Sequence, residues 1–468
     1  MSMEAGFELG FASLSNEVTD RSLAVEGTLP DWLDGMLVRN GPATFEVGGE
    51  RVAHWFDGLA MLHRFGFDGS DDAVRYTNRS LRTETYRRAM ETGELDGQFA
   101  TGGAYLQRVR QLLFGKPTDN CNVHVARVDG TLVAMTEAPR SVGVNPETLD
   151  TLGEFAFADA LTGHVNCAHV LPDPHREETV GLLTTFGRPS EYTLYRLPDG
   201  SRARERIGSI SAENPAYIHS FALTERYVVL TEHPFVTHPM SLLRPGRDSF
   251  VEQYDWKPER GTRFYVLDRE TGERIATAAA DPWFVFHHVN AFEADGELVV
   301  DLVAYPNADV VEGLYLTAAA DWFEHGRDGH LRRFRVQLDG RAVSSDLLYE
   351  GCELPRIARE DRTREYQYVY AQGATTQDGN HVAKVDVTTS ASRRWEESGV
   401  FVEEPVFVRA PDAERPSDEG CVLVTALNTD EGRTDLLVLD SETLEERARA
   451  PLPHAVPFGF HGRYFSDW

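Results

Sequence analysis

Four histidines lie inside apolar, strand-like segments of the sequence. They are His169 in NCAHVLPDP, His219 in PAYIHSFAL, His287 in PWFVFHHVN and His461 in PFGFHGRYF. Burying an imidazole is costly unless both ring nitrogens have partners, and one shared metal ion would satisfy all four rings. A single histidine in such a segment is more often a satisfied core residue. The intervals of 50, 68 and 174 residues contain no local ligand pair, so only the fold could bring the rings together.

Several common catalytic motifs are absent. The sequence has no G-x-S-x-G elbow, P-loop, H-E-x-x-H motif or EF-hand loop. Its glycine pairs, Gly48-Gly49 and Gly102-Gly103, lack the strand and helix that flank a nucleotide-binding loop, so we interpret them as turns. The histidines therefore remain the strongest candidates for chemistry.

The 468-residue chain is strongly acidic, with 75 acidic and 46 basic residues and a net charge of −29. This surface argues against nucleic acid as a partner, because phosphate binding needs a basic footprint. The only lysines are Lys116, Lys257 and Lys384. Abundant acid with almost no lysine is typical of a protein kept soluble in strong salt, so the composition predicts a salt-loving microbial host, such as a halophilic archaeon.

Cysteine usage and the N-terminus predict a cytoplasmic protein. The four cysteines, at positions 121, 167, 352 and 421, form no C-x-x-C motif, as expected in a reducing compartment. The start MSMEAGFELGF has no basic region before an apolar run, and no stretch of 18 apolar residues occurs anywhere. We expect no signal peptide and no membrane span. The oligomeric state is not indicated.

Short strands separated by turns dominate the sequence pattern. Examples are residues 131–139, 263–268, 298–305, 365–373 and 435–440, each rich in Val, Leu, Tyr or Phe and bounded by turn residues. Helical segments are expected only within about 83–115 and near 318–323. A strand followed by a turn with the letters E-T recurs around Thr148, Thr271 and Thr443, at separations that fit multiples of a 40–45-residue propeller blade. Such turns also suit any β-hairpin.

Longer segments resemble the carotenoid cleavage oxygenase family, which includes animal β-carotene oxygenases and the retinal pigment epithelium isomerohydrolase. Residues 37–65 read LVRNGPATFEVGGERVAHWFDGLAMLHRF and are similar to the family's R-N-G-P and H-W-F-D-G-x-x-M-L-H elements. NCAHVLPDP departs from the family at Val170, where proline is usual, and IHSFALTERYVV departs at Ser220, where an acid is usual. FHHVNAFE and the terminal GFH match closely. The resemblance covers roughly residues 25–468, and YRRAMETGEL at 86–95 is closer to the animal-type branch.

The resemblance implies an all-β, seven-bladed β-propeller with a helical cap over an iron site. We expect residues 1–24 to be an N-terminal extension, residues 25–468 to form a single domain, and the cap helices to lie at about 83–115. One Fe²⁺ per chain would be bound by His169, His219, His287 and His461. In FHHVN the matching ligand is His287, and His288 should point to the opposite face of its strand.

The resemblance also implies three glutamates that orient ligand imidazoles. The matching positions are Glu137, Glu353 and Glu404, and each carboxylate would accept a hydrogen bond from the nitrogen that does not face the metal. In so acidic a chain, each could instead be a solvent-facing strand residue. We expect Glu403 to face away, His169 to lack a carboxylate, and the other histidines to be structural or superficial, including His54, His63, His124, His164, His233 and His238.

The expected activity is cleavage of one polyene double bond by O₂ to give two carbonyl fragments, with no organic cosubstrate and no protein nucleophile. Central cleavage of β-carotene to retinal is one such reaction. A second hypothesis is cleavage of apocarotenoids or stilbene-type compounds. A third is a retinoid-binding or isomerase-type propeller without oxidative cleavage.

A basic amphipathic segment at 104–117, AYLQRVRQLLFGKP, suggests peripheral contact with the inner face of the cell membrane. Its apolar patch comprises Tyr105, Leu106, Val109, Leu112, Leu113 and Phe114. An ordinary cap helix packed on the core would show the same pattern.

Overall fold

Seven antiparallel sheets form the protein, as the computed structural model shows for residues 6–95, 99–101, 116–243, 249–325, 328–339, 342–376, 378–414 and 418–468. They are the blades of a β-propeller, which confirms the expected fold. We number the blades 1 to 7 and name the strands of each from the axis outward.

Blade 1 contains His461–Phe465, Asp34–Thr44, Leu59–Asp68, Ala73–Ser80 and Val18–Leu23. Blade 2 contains His124–Val128, Thr131–Met135, Ser141–Val144 and Thr151–Phe155. Blade 3 contains the short inner strands Val165–Asn166 and Leu171–Asp173, then Glu178–Thr185, Ser190–Pro198 and Glu205–Ala212. Blade 4 contains Ala222–Leu223, Tyr227–Glu232, Thr262–Asp268 and Arg274–Ala280.

Blade 5 contains Phe284–Ala294, Glu297–Tyr305, His330–Gln337 and Val343–Tyr349. Blade 6 contains Cys352–Arg356, Tyr368–Gly373, His381–Asp386 and Ser392–Glu396. Blade 7 contains Val400–Val402 and Val406–Arg409, then Gly420–Asn428, Arg433–Asp440, Glu446–Pro451 and Glu26–Gly27. Two small ribbons pair Glu46–Val47 with Glu50–Arg51 and Phe235–Thr237 with Tyr254–Trp256.

The chain ends close the ring. The last strand, His461–Phe465, pairs antiparallel with residues 36–40 and becomes the innermost strand of blade 1. Residues before 25 also join the sheets, since Val18–Leu23 pairs with Ala73–Ser80. The strand Val18–Leu23 thus falls within the expected N-terminal extension. The division into an extension at residues 1–24 and a domain at 25–468 stays a proposal.

The burial of each strand follows its distance from the axis. Tyr227–Glu232, next to an innermost strand, is buried along its whole length, because neighbouring blades cover both of its faces. The outermost strand Ser392–Glu396 is almost fully exposed. The blades thus pack face to face, for example through Phe264, Leu298 and Phe334 between blades 4 and 5.

The recurring E-T segments are equivalent turns. Each joins two consecutive strands on the outer side of a blade, and in blade 7 the short strand Glu26–Gly27 lies farther out still. Asn145, Asp268 and Asp440 each accept backbone hydrogen bonds from the residues two and three positions later. Asp386 of blade 6 makes the same turn, although the letters there are T-T rather than E-T. The four turns therefore share a side-chain acceptor at their first position rather than the letters E-T.

Helices are few among the described residues. The α-helices there are Glu84–Thr92, Asp309–Gly313 and Ala319–Glu324, and the 3₁₀ turns are Glu8–Phe11, Trp55–Asp57, Pro239–Leu243, Val251–Gln253, Pro258–Arg260 and Arg359–Asp361. Helix Glu84–Thr92 lies in the range 83–115 expected for cap helices. The Thr83 side chain caps its first turn, and Gly93 ends it in the left-handed conformation at φ 71°.

Candidate metal centre and cavity

Four imidazole rings meet on the propeller axis. The Nε2 atoms of His169 and His219 lie 3.0 Å apart, and those of His287 and His461 lie 3.3 Å apart. One nitrogen from each ring lies within 4.8 Å of those from the other three. The fold therefore brings together all four histidines that the sequence singled out.

Each ring comes from the innermost segment of its blade. His169 lies between the two short inner strands of blade 3, and His219 lies just before Ala222–Leu223 of blade 4. His287 lies within the inner strand of blade 5, and His461 begins that of blade 1. Because every inner strand faces the common axis, residues far apart in sequence become neighbours.

Three glutamates hold three of these rings. His219 Nδ1 lies 2.6 Å from Glu137 Oε1, and His287 Nδ1 lies 2.5 Å from Glu353 Oε2. His461 Nδ1 lies 2.8 Å from Glu404 Oε1. The carboxylates come from blades 2, 6 and 7, which supply none of the four histidines. The pairing matches the one expected from the sequence.

The hydrogen bonds determine where the protons lie on these rings. An imidazole that donates Nδ1–H to a carboxylate presents an unprotonated Nε2. The Nε2 atoms of His287 and His461 then face each other across 3.3 Å with two lone pairs and no hydrogen between them. A cation between the rings removes this repulsion, so the arrangement fits a bound metal ion.

Burial favours the neutral form of two of the rings, His461 and His169. It lowers the pKa of His461 to about 4, although Glu404 favours the protonated ring. Burial, together with the neighbouring rings, holds the pKa of His169 well below its usual value. Burial acts to raise the pKa of Glu404, but Arg356 and His461 reverse this, and the net shift is downward. Neutral imidazoles near carboxylates are the protonation states that metal binding requires.

His169 is the ring that has no carboxylate partner among the described residues, as expected. It stacks instead on His124, with ring centroids 5.7 Å apart. His124 is buried, its Nδ1 has no hydrogen-bond partner, and its ring also contacts His461 edge-on. His124 was expected to be structural or superficial, and the structure places it in the core beside two of the candidate ligands.

His288 and Glu403 play different roles from their neighbours in sequence. His288 places its two ring nitrogens 2.7 Å from Ser220 Oγ and 2.8 Å from Thr231 Oγ1, so both are satisfied without a metal. Glu403 contacts Arg39, Thr425 and the Gly459 amide rather than a candidate ligand, but it is buried rather than exposed.

Two tyrosines support the carboxylates, and no sequence motif pointed to either of them. Tyr217 donates to Glu137 Oε2 at 2.7 Å, and Tyr305 donates to Glu353 Oε1 at 2.9 Å. Both side chains come from strands or loops beside the inner segments. Each tyrosine has its role because a carboxylate from another blade lies next to it. The apolar segment around the tyrosine does not reveal that contact.

A cavity of about 790 Å³ opens beside the rings, near the upper end of the range for ligand pockets. Aromatic side chains dominate its wall, including Trp55, Phe56, Phe99, Phe286, Tyr305 and Phe460. Phe7, from the N-terminal segment, also lines it. The cavity suits a long or ring-bearing apolar molecule.

Four carboxyl groups line the cavity, and three of them, Glu137, Glu353 and Glu403, have the partners described above. Asp328 lies beside the cavity, and its Oδ2 is buried with no hydrogen-bond partner in the described structure. Burial raises its pKa to about 6, and nearby Glu353 adds to the shift, while the Thr375 amide opposes it. This is an unsatisfied acceptor facing a ligand site.

The expected membrane patch, Tyr105 to Phe114, lies outside the described residues. Lys116, at the end of that segment, is exposed and pairs with Glu84 of the cap helix at 3.2 Å. Among the described helices, none has the length and apolar character needed to span a bilayer.

The fold and the site together define a seven-bladed β-propeller with four histidines on its axis that are placed to hold a metal ion. The sequence model of the family described as retinal pigment epithelial membrane protein matches residues 11–466. The chain belongs to this family, the carotenoid cleavage oxygenases, and is an oxidoreductase of the carotenoid cleavage dioxygenase type.

Relatives from plants and animals are similar over nearly the whole chain. Carotenoid cleavage dioxygenase 8 homolog A of Oryza sativa is 33% identical, covering 96% of this chain and 86% of the relative. The human β,β-carotene 15,15'-dioxygenase is 29% identical, with coverage of 95% and 92%. Plant and animal relatives are thus comparably similar, and the expected closeness to the animal branch is not confirmed.

A solved structure carries a metal in the same fold. Cobalt-substituted apocarotenoid oxygenase of Synechocystis superposes with a TM-score of 0.89 at 26% identity, covering 99% of this chain and 98% of that one. This likeness covers all seven blades.

Proposed function

We propose that this protein binds one Fe²⁺ per chain through His169, His219, His287 and His461, and cleaves a double bond of a carotenoid or apocarotenoid with O₂. Both oxygen atoms of O₂ would become the carbonyl oxygens of two fragments, so no other oxidant is needed. The supporting observation is the pair of unprotonated Nε2 atoms of His287 and His461, which face each other beside an aromatic cavity. Ferrous iron with four neutral imidazoles supplies the chemistry that activates O₂.

The protein's own residues bind and orient. Glu137, Glu353 and Glu404 fix the ring orientations and keep the Nδ1 protons in place. Aromatic walls formed by residues such as Phe56 and Phe286 bind the polyene and exclude water from it. The position of the substrate along this cavity selects the double bond.

A product assay tests the proposal. Purified, iron-loaded protein is incubated under ¹⁸O₂ with β-carotene, an apocarotenal and resveratrol, and products are identified by mass spectrometry. We expect aldehyde fragments that carry ¹⁸O from at least one substrate. If none of them gives a cleaved carbonyl product, the oxygenase reading is wrong, and retinoid binding or isomerisation becomes the better one.

Asp328 favours a substrate that carries a hydroxyl group, such as a hydroxylated apocarotenoid or a stilbene-type phenol. A hydroxyl hydrogen would satisfy its buried Oδ2, which otherwise lacks a donor. We expect Asp328→Leu to lower kcat/KM for a hydroxylated substrate about tenfold or more, as for loss of a hydrogen bond to a charged group, while leaving an all-hydrocarbon polyene nearly unchanged. An equal change for both substrates would contradict this role.

The cellular setting is also proposed. The acidic, lysine-poor composition supports a salt-loving host. Retinal formed there by central cleavage would serve retinal-binding proteins. Cytoplasmic location with peripheral membrane contact would suit an apolar substrate delivered from the bilayer.

A further inference from the structure

Four arginines lie on or just after two inner strands, farther along blade 1 than His461 and farther along blade 6 than Glu353. Arg356 ends the inner strand of blade 6, Arg359 and Arg362 follow in the next turn, and Arg463 lies in the inner strand of blade 1. We call them the arginine cluster. Arg463 follows His461 by two residues, which places it about 7 Å farther along that strand. None of the four lines the cavity.

The Arg356 guanidinium donates to the carbonyl of Gly462, the neighbour of Arg463, so the inner strands of blades 1 and 6 bring like charges towards each other. Burial, and then Arg359, Arg356 and Arg362, lower the pKa of Arg463 to about 9. Burial and Arg356 likewise lower the pKa of Arg362 to about 10. An arginine ordinarily keeps its proton above pH 12, so like charges are held close together in a poorly solvated place.

Acidic partners do not balance this charge. Arg356 pairs with Glu404 at 3.2 Å and donates to the Gly462 carbonyl. In the described part of the chain, the other three guanidinium groups form no ion pair, and Arg362 Nε is buried without a hydrogen-bond partner.

Apart from Glu404, the acids near the cluster are Asp361, which is buried in the turn between Arg359 and Arg362, and the more distant Asp173 and Asp199. Asp173 acts on Arg362, but it is bound to the buried Arg269 at 2.8 Å. Asp199 acts on Arg463 from an exposed turn. The cluster is therefore an excess of positive charge inside a chain whose net charge is −29.

Unpaired charges in a poorly solvated site are costly, and an anion removes that cost. We propose that the arginine cluster binds an inorganic oxyanion of the phosphate class, bridging the inner strand of blade 1 and the turn after the inner strand of blade 6. Planar guanidinium groups bind such tetrahedral oxyanions through paired N–H···O bonds, and several of them match a dianion. Arg359 is exposed and would mark the entrance. The anion would link the C-terminal strand to a blade two positions away around the ring. This inference does not depend on the oxygenase activity.

The test measures phosphate binding and thermal unfolding of the full chain, without any substrate. By calorimetry, we expect one phosphate per chain. By thermal unfolding, we expect sodium phosphate to raise Tm more than sodium chloride of equal ionic strength. Arg463→Met should weaken phosphate binding at least tenfold and abolish the phosphate-specific rise in Tm. In phosphate-free buffer its Tm should not fall, because a like charge has been removed.

A second variant and a control keep the test decisive. Arg362→Met should repeat the result if Arg463→Met folds poorly. Arg364→Met lies in the same turn but removes an exposed arginine paired with Glu225 at 3.1 Å, so its phosphate response should equal that of the unmodified chain. Absence of phosphate binding by the unmodified chain, an equal effect of chloride, or an unchanged response of both cluster variants would each overturn the proposal.

Discussion

Two clusters follow each other along the propeller axis, and they satisfy their nitrogen atoms in opposite ways. In the histidine cluster, burial favours the neutral form of His169 and His461, and three of the four rings have a carboxylate supplied by another blade. The arginine cluster is charged, and only Arg356 has a carboxylate partner among the described residues. At the first site the protein completes everything except the metal. At the arginine cluster the protein supplies too few carboxylates, so the balancing negative charge has to come from a bound anion.

The two clusters differ because an imidazole can lose its charge near neutral pH, whereas a guanidinium cannot. A buried imidazole escapes the cost of burial by losing its proton, as His461 does with a pKa of about 4. A guanidinium keeps its charge near neutral pH even when burial lowers its pKa, as for Arg463. A buried histidine can therefore stay neutral until a cation binds, whereas clustered arginines stay charged and require an anion.

The largest effect is expected from removing a histidine. His461→Ala deletes one of the four nitrogens and leaves Glu404 without its imidazole partner, so we expect iron content to fall below about a tenth of the unmodified level and cleavage to fall with it. Iron is measured in the purified protein by plasma mass spectrometry.

His288→Ala is the matched control, because it removes an adjacent, partly buried histidine that binds Ser220 and Thr231 instead. It should keep its iron, though with lower stability. Full iron occupancy in His461→Ala would refute the four-histidine assignment.

Some residues of this site could be predicted from the sequence, and others could not. Resemblance placed the four histidines and three glutamates, and the fold makes physical sense of them, since inner strands of different blades share an axis. Tyr217 and Tyr305 could not be found this way, because each is defined by a hydrogen bond to a carboxylate on another blade.

The turns show the same limit at the level of the fold. E-T letters located three equivalent turns, but the fourth, at Asp386, was missed because the shared feature is the acceptor at the first position. The arginine cluster was also hidden, since its members are separated by up to 107 residues and look like ordinary surface charge. Only closure of blade 1 by the last strand brings Arg463 beside blade 6.

An intermediate effect is expected from removing a carboxylate. Glu353→Gln keeps the size of the side chain but weakens acceptance from His287 Nδ1, so iron affinity should fall about 10- to 100-fold, the usual cost of such a change. Iron affinity is measured by competition with a chelator.

Glu403→Gln is the control for this prediction. Glu403 is buried and also lines the cavity, but it holds Arg39 and the Gly459 amide. It should lose stability and retain iron affinity. A similar loss of affinity in both variants would mean that the charge of the cavity wall, rather than a specific hydrogen bond, supports the metal.

The smallest effect is expected at Arg356, the residue that touches both clusters. Its Nε lies 3.2 Å from Glu404 Oε1, and Glu404 in turn holds His461 at 2.8 Å. Glu404 keeps Arg39 and the Gly462 amide when Arg356 is replaced, so Arg356→Met should weaken iron binding only a fewfold. The same variant should weaken phosphate binding about as much, because one of four guanidinium groups is lost while the three unpaired ones remain. Chelator competition measures the first change and calorimetry the second. If iron affinity falls as far as in Glu353→Gln, the two clusters act as one unit; if only phosphate binding changes, they are independent sites that share an axis.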